Sequence, residues 1–131
     1  MRRAGTEERG SVTLETTLMI TILVPLLFAI IGFGDAFQRW LAQDAAAIQA
    51  ARYAAELGGD AAELRSLLAD TLRGSGLDPD VVSVEVQPAR VSWRQPIRVT
   101  LRSEARIAIP FLMTTTLPLS STAVARGEVN R

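Results

Sequence analysis

Leu18-Met19-Ile20-Thr21-Ile22-Leu23-Val24-Pro25-Leu26-Leu27-Phe28-Ala29-Ile30-Ile31 decides what kind of chain this is. The stretch lies inside a run of nineteen residues, Thr16 to Gly34, that carries no charge. As a helix rising about 1.5 Å per residue, such a run is about 28 Å long, close to the thickness of a bilayer's hydrocarbon core. It is apolar all round, where a helix on a soluble domain would show a polar face. Pro25 costs about 3 kcal/mol inside a soluble helix. A membrane span tolerates it where neighbouring groups make up for the lost bond, with a kink near the proline. The remaining sequence is too short to wrap such a helix as a core. The run is also longer than the apolar region of a secretory signal, and Gly34-Asp35-Ala36 is a poor cleavage site. The sequence therefore predicts one membrane-spanning helix. Arg2, Arg3 and Arg9 before the run, against Arg39 after it, favour a cytoplasmic N-terminus and an extracytoplasmic C-terminal part, although Glu7 and Glu8 dilute the bias.

Around this segment the 131-residue chain is unremarkable: 48% apolar, 21% charged, with fourteen basic and fourteen acidic residues. All the basic residues are Arg. A formal net charge of zero gives no global field for nucleic acid. Cys and His are both absent, which removes thiol nucleophiles, disulfides, Cys/His zinc sites and the commonest general base. No Ser or Thr is paired with a positioned base, and no phosphate loop or metal cluster is visible. The sequence thus points to a structural role, with no catalytic residues, metal, cofactor or small-molecule substrate.

The junction before the span reads Arg9-Gly10-Ser11-Val12-Thr13-Leu14-Glu15. A short polar leader ends in Gly10, and a carboxylate follows five residues later at the edge of the apolar segment. A carboxylate in hydrocarbon costs up to about 3 kcal/mol on insertion scales, less near the edge, and a cation relieves that cost. Two accounts of Glu15 stand side by side. It meets a positive group on another subunit, or it sits in the headgroup zone, where the start of a helix favours an acid.

Beyond the span, Phe37, Trp40, Leu41, Ala45, Ile48, Ala51 and Ala55 recur at helical spacing as one apolar stripe, with Arg39, Gln43, Gln49, Arg52 and Glu56 largely off it. Gly58-Gly59 supplies the stop. One helix is therefore expected from about Val12 to Leu57. Asp60 followed by Glu63 resembles an Asp-led capping box for a second helix with Leu64, Leu67, Leu68 and Leu72 on its apolar face. After Asp78-Pro79-Asp80 the period changes to two. Val82, Val84 and Val86 form one strand, and Pro96 opens a second in which Ile97, Val99, Leu101, Ser103 and Ala105 alternate with Arg98, Thr100, Arg102, Glu104 and Arg106. A third strand is expected over about Leu117–Arg126, with Phe111, Leu112 and Met113 filling the core. Arg90, Arg94, Arg98, Arg102 and Arg106 read as a solvated sheet face, since only Trp93 offers an aromatic platform for nucleic acid.

The Gly10–Glu15 spacing resembles the processing site of type IV prepilins, cut after the glycine by a membrane aspartyl peptidase. Several further words in order make the likeness more specific: Arg9-Gly10 with Glu15, Pro25-Leu26-Leu27, Gly32-Phe33-Gly34-Asp35, and Ala50-Ala51-Arg52-Tyr53-Ala54-Ala55. Together they resemble TadE-like minor pseudopilins of tight-adherence (Flp, type IV-like) pilus systems. The likeness is good over residues 9–57 and only an outline beyond. Thr16 departs from it, since the family commonly has an aromatic residue there.

The resemblance implies a pilin-like α+β fold: a long helix, transmembrane then amphipathic, a short second helix, and a three-stranded, mostly antiparallel sheet. It implies a leader over 1–10, a transmembrane helix over 11–34, its amphipathic extension over 35–57, and a small extracytoplasmic domain over 58–131. Gly10 and Ser11 would flank the prepilin peptidase cut, and Glu15 would set register against the free amine of a neighbour's Ser11. The implied partners are membrane lipid, the peptidase, other pilin or pseudopilin subunits and pilus assembly proteins. The implied place is the bacterial inner membrane, with possible incorporation in a pilus for cell adhesion or secretion. The alternative is an unprocessed single-pass anchor that scaffolds an envelope or secretion complex.

Overall fold

The computed structural model describes residues 4–128, with side chains from Gly10 onward. Arg2 and Arg3 lie outside the described residues, as do the side chains of Glu7, Glu8 and Arg9. The charge bias that orients the span is therefore a matter of sequence.

One helix, α1, runs unbroken over Ala4–Leu57, 54 residues, with Pro25 inside it. At about 1.5 Å per residue it is about 81 Å long. Its end is set where expected. The Gly59 amide reaches back to the Ala54 carbonyl at 2.9 Å, and Gly58 takes a φ of +80°, which is the Schellman arrangement. Gly59 then crosses very close to another strand of chain: a Cβ there would lie 2.2 Å from the Ala89 carbonyl oxygen. Asp60 and Val91 extend this backbone pairing, through Asp60 N–H to Ala89 and Val91 N–H to Gly58 at 2.9 and 3.0 Å.

The second helix, α2, spans Ala62–Gly74 and buries Leu64, Leu68 and Leu72. Its start differs from the expected capping box. Ala61 occupies the cap position without a side-chain cap bond, while the Asp60 carboxylate is taken by Arg65 at 2.6 and 3.0 Å. That hydrogen bond pushes the Arg65 guanidinium pKa still higher, against a smaller opposing effect of burial. The charge pair thus replaces the cap.

A 3-10 turn at Pro79–Val81 leads into β1 (Ser83–Gln87), β2 (Pro96–Ile109) and β3 (Met113–Arg126). They form an antiparallel sheet in the order β1-β2-β3. Val84 faces Leu101, and the long hairpin pairs Pro96 with Arg126 at one end and Ile109 with Met113 at the other. β3 begins four residues earlier than its composition suggested. The β-branched Thr114, Thr115 and Thr116 suit a pleated strand, and Pro118 is tolerated because β3 is an edge.

The sheet lays one face on α1 and α2. The main core joins Ala46, Ala47, Ala50, Ala51, Ala54 and Ala55 of α1 to the three leucines of α2 and to Val82, Val86, Ile97, Val99 and Leu101. A smaller cluster nearer the apolar segment joins Ala36 to Ala105, Ile107 and Leu119. The core stripe of α1 is thus not the one the large residues traced. Phe37, Leu41 and Ile48 are exposed, and Gln43 is fully buried. Sheet and helix meet closely, so alanine, not phenylalanine or leucine, fits between them. Phe111, Leu112 and Met113, expected in the core, are exposed at the hairpin tip.

Candidate functional site: the N-terminal helix and its junction

Gly10, Ser11 and Glu15 all lie on α1, exposed, within the first turns of the apolar half. Gly10 and Glu15 are separated by about 7.5 Å along the axis. The helix passes through the Gly10–Ser11 bond without a break. Neighbouring hydroxyls are satisfied locally: Thr16, Thr17 and Thr21 each donate to the carbonyl four residues earlier, at 2.9, 2.8 and 2.7 Å. Such back-bonding suits a helix that has no water to turn to. Glu15 differs. Its carboxylate has no hydrogen-bond or ion-pair partner among the described residues, and the next charged position along the chain is Asp35.

The far end of the apolar segment is marked by charge and aromatic rings. Asp35 and Arg39 form an i,i+4 pair at 2.8 Å. Phe37 and Trp40 stack with centroids 5.8 Å apart, and the Trp40 indole N–H donates to the Ser120 carbonyl at 3.3 Å. Between these boundaries the large side chains point outward, Leu18, Ile22, Leu26 and Ile30 among them. The helix is long and apolar enough to cross a membrane, with 6% of its most apolar window buried by the rest of the chain. A helix that its own protein leaves bare must be covered by something else, and its length fits a bilayer.

The apolar part of α1, from Gly10 onward, also matches a known family model. Residues 10–52 match the model of the TadE-like protein family. The match covers the N-terminal helix alone, 43 of the 131 residues, and over that helix the chain is similar to TadE-like proteins. The match starts at the glycine of the junction and ends on the Ala-rich stretch at Arg52. TadE-like proteins are pilus-associated, pseudopilin-type chains with an N-terminal hydrophobic helix, and the fold found here is pilin-like α+β. No curated protein and no solved structure matches the chain.

In the C-terminal part, beyond the matched residues, the arginine strip sits where a solvated face was expected. Arg98, Arg102 and Arg106 are exposed on the side of β2 away from α1, and Arg102 approaches Glu85 at 3.8 Å. Among the described residues no group of three or more acidic side chains is placed to hold a metal ion. Two features escaped the sequence reading. Gln43 donates to the Leu101 carbonyl at 2.8 Å and accepts from the Ser103 hydroxyl, anchoring α1 to β2. The β2–β3 hairpin reaches back along the apolar helix as far as Pro25, which is buried. The length of the uncharged stretch after Arg106 is the signal that would have revealed the second.

Proposed function

We infer that this chain is a minor pseudopilin, a membrane-inserted structural subunit or assembly factor for a tight-adherence pilus. The observation that carries the inference is the continuous α1, bare and apolar over its first half, with Glu15, five residues after Gly10, unpartnered among the described residues. Removal of the leader after Gly10 by a prepilin peptidase frees the Ser11 amine, whose unperturbed pKa is near 8. That cation neutralises Glu15 of an adjacent subunit. The two groups lie four residues apart on each chain, so neighbouring helices engage when shifted by about 6 Å along their axes. Register is then fixed by one ion pair, while the apolar faces supply contact area. The outer domain is held rigidly on the same helix by its alanine stripe. The role is structural, and the partners are lipid, the peptidase and sister pilin or pseudopilin subunits at the bacterial inner membrane.

One observation favours the alternative, an unprocessed anchor for an envelope complex: α1 runs through the Gly10–Ser11 bond to Ala4, and cleavage requires that turn to unwind. Mass spectrometry of the membrane-extracted protein separates the two. A mature chain starting at Ser11 is expected. An intact Met1 in cells with an active prepilin peptidase would overturn the pseudopilin assignment.

A further inference from the structure

The β2–β3 hairpin ends in Ile109-Pro110-Phe111-Leu112-Met113, closed by a Leu112 N–H to Ile109 carbonyl bond at 3.2 Å. Phe111 is 94% exposed and Leu112 69%. The chain is free of charge over nineteen residues, from Ile107 to Ala125, so no formal charge lies on either strand between Arg106 and the tip. The hairpin is also fixed in height. Ile107 packs so close to Gly32 that a Cβ on that glycine would lie 2.9 Å from its Cγ2. Further on, Ile109, Phe111 and Leu112 face Thr21, Pro25 and Ala29 across an open apolar groove.

Two rulers place the tip against the membrane. Asp35, Arg39 and Trp40 mark the outer boundary of the helix, where charge and indole rings belong. From Asp35 down to Pro25 is about 15 Å along the helix. On the hairpin, Arg106 is the last charge, β2 runs on for about 10 Å to Ile109, and the turn that carries Phe111 and Leu112 lies beyond. The first distance is near half of a hydrocarbon core about 30 Å thick, and the second carries the tip well into that half. Moving the helix outward until the tip stands in water does not work. Only the ten residues after Glu15 up to Pro25, about 15 Å of helix, would remain to cross the core.

We propose that the β2–β3 hairpin tip is a second membrane-inserting element, a wedge that enters the outer leaflet beside the chain's own spanning helix, its apolar groove filled by lipid acyl chain. The inference rests on α1 spanning the bilayer. Whatever surrounds α1 at Pro25 then surrounds the tip as well. The outer edge of β2 beyond Ser103 and the free edge of β3 carry unpaired backbone groups, which undisturbed hydrocarbon penalises. The wedge therefore thins the leaflet locally, drawing headgroups and water along the arm that carries Thr114, Thr115 and Thr116. Held at two places, the outer domain keeps a fixed tilt on the membrane.

The chain has no cysteine, so single labels are specific. The full chain, one copy per lipid nanodisc, carries an environment-sensitive fluorophore at Leu112→Cys, with Met113→Cys as a second position should the first disturb folding. Ile30→Cys reports the span and Val81→Cys reports water. Blue-shifted emission at 112 or 113, lost to spin-labelled lipid and spared by aqueous iodide, is the expected result. Iodide quenching at both tip positions with lipid quenching at Ile30→Cys would overturn the wedge and leave the span intact. Shielding of the tip from both quenchers would overturn it in favour of protein cover by the chain itself. Loss of lipid quenching at Ile30→Cys would remove the spanning helix, and the wedge with it.

Discussion

Gln43 lies on the face of α1 that meets the sheet, fully buried, with its amide hydrogen-bonded to the Leu101 carbonyl and to Ser103. A hydrophobic replacement there adds apolar area but removes both bonds. The loss of a buried partner costs about 1–3 kcal/mol, which outweighs the small gain from an isosteric apolar side chain. Gln43→Leu is therefore expected to lower the melting temperature in detergent by at least about 4 °C. A melt unchanged or raised would show that the amide is dispensable to the fold. Glu15 is the opposite case, a polar group with no partner among the described residues. Glu15→Ala removes an insertion cost and leaves the domain untouched, so membrane fractionation and melting stay as they were while pilus output falls. Normal pilus output from that variant would remove the register role. The glutamate was legible in the sequence because its spacing from Gly10 stands out against an uncharged run. Gln43 was not, because a glutamine beside an arginine and an aspartate looks like part of a solvated face.

At the scale of elements, periodicity was a good guide wherever side chains of similar size alternate. β2 shows this: Ile97, Val99, Leu101, Ala105 and Ile107 all turn inward, as a period of two requires. The end of α1 at Gly58-Gly59 was equally legible, because only glycine fits a φ of +80° and +143° in succession. In the amphipathic half of α1 the expected stripe holds at Ala51 and Ala55, both in the core, and fails at its large residues for a physical reason. Hydrophobicity identifies Phe37, Leu41 and Ile48 as a core stripe, but a sheet lying close against a helix selects small residues, and it took Ala36, Ala47, Ala50 and Ala54 instead. Neighbouring positions on this helix should therefore behave in opposite ways. Ala47→Leu forces a large side chain between helix and sheet and is expected to cost about 1–3 kcal/mol. Ile48→Ala, one residue on, changes an exposed position and is expected to stay within about 0.5 kcal/mol of the parent chain. Thermal melts of the two variants in the same detergent check this, and equal destabilisation would show that the stripe was assigned to the wrong face. Gly59→Ala belongs with Ala47→Leu. Its Cβ has no room beside the Ala89 carbonyl, and strained backbone adds about 1–3 kcal/mol.

For the whole molecule, the two core clusters divide the labour between anchor and domain. The larger draws on α1 only from Ala46 onward, so nothing in it depends on the apolar segment. The smaller sits at Ala36, and the hairpin beyond it leans on Gly32, Ala29 and Pro25. A chain beginning at Asp35 therefore keeps the whole main core but strips the distal hairpin of the surface it rests on. Uncovering a large apolar side chain forfeits about 1.5–3 kcal/mol. Hydrogen exchange is a local measure of opening, and a loss of about 1.4 kcal/mol corresponds to about tenfold in rate. In the truncated chain the amides of Val99 and Leu101 are expected to keep their protection, while those of Ile107 and its partner Thr115 exchange at least about tenfold faster than in the full chain. Protection lost uniformly across both sets would mean that the domain has no core of its own and folds only on the apolar helix. Protection kept at Ile107 would mean that the hairpin is held from within the sheet, and that its height beside Pro25 is not set by α1.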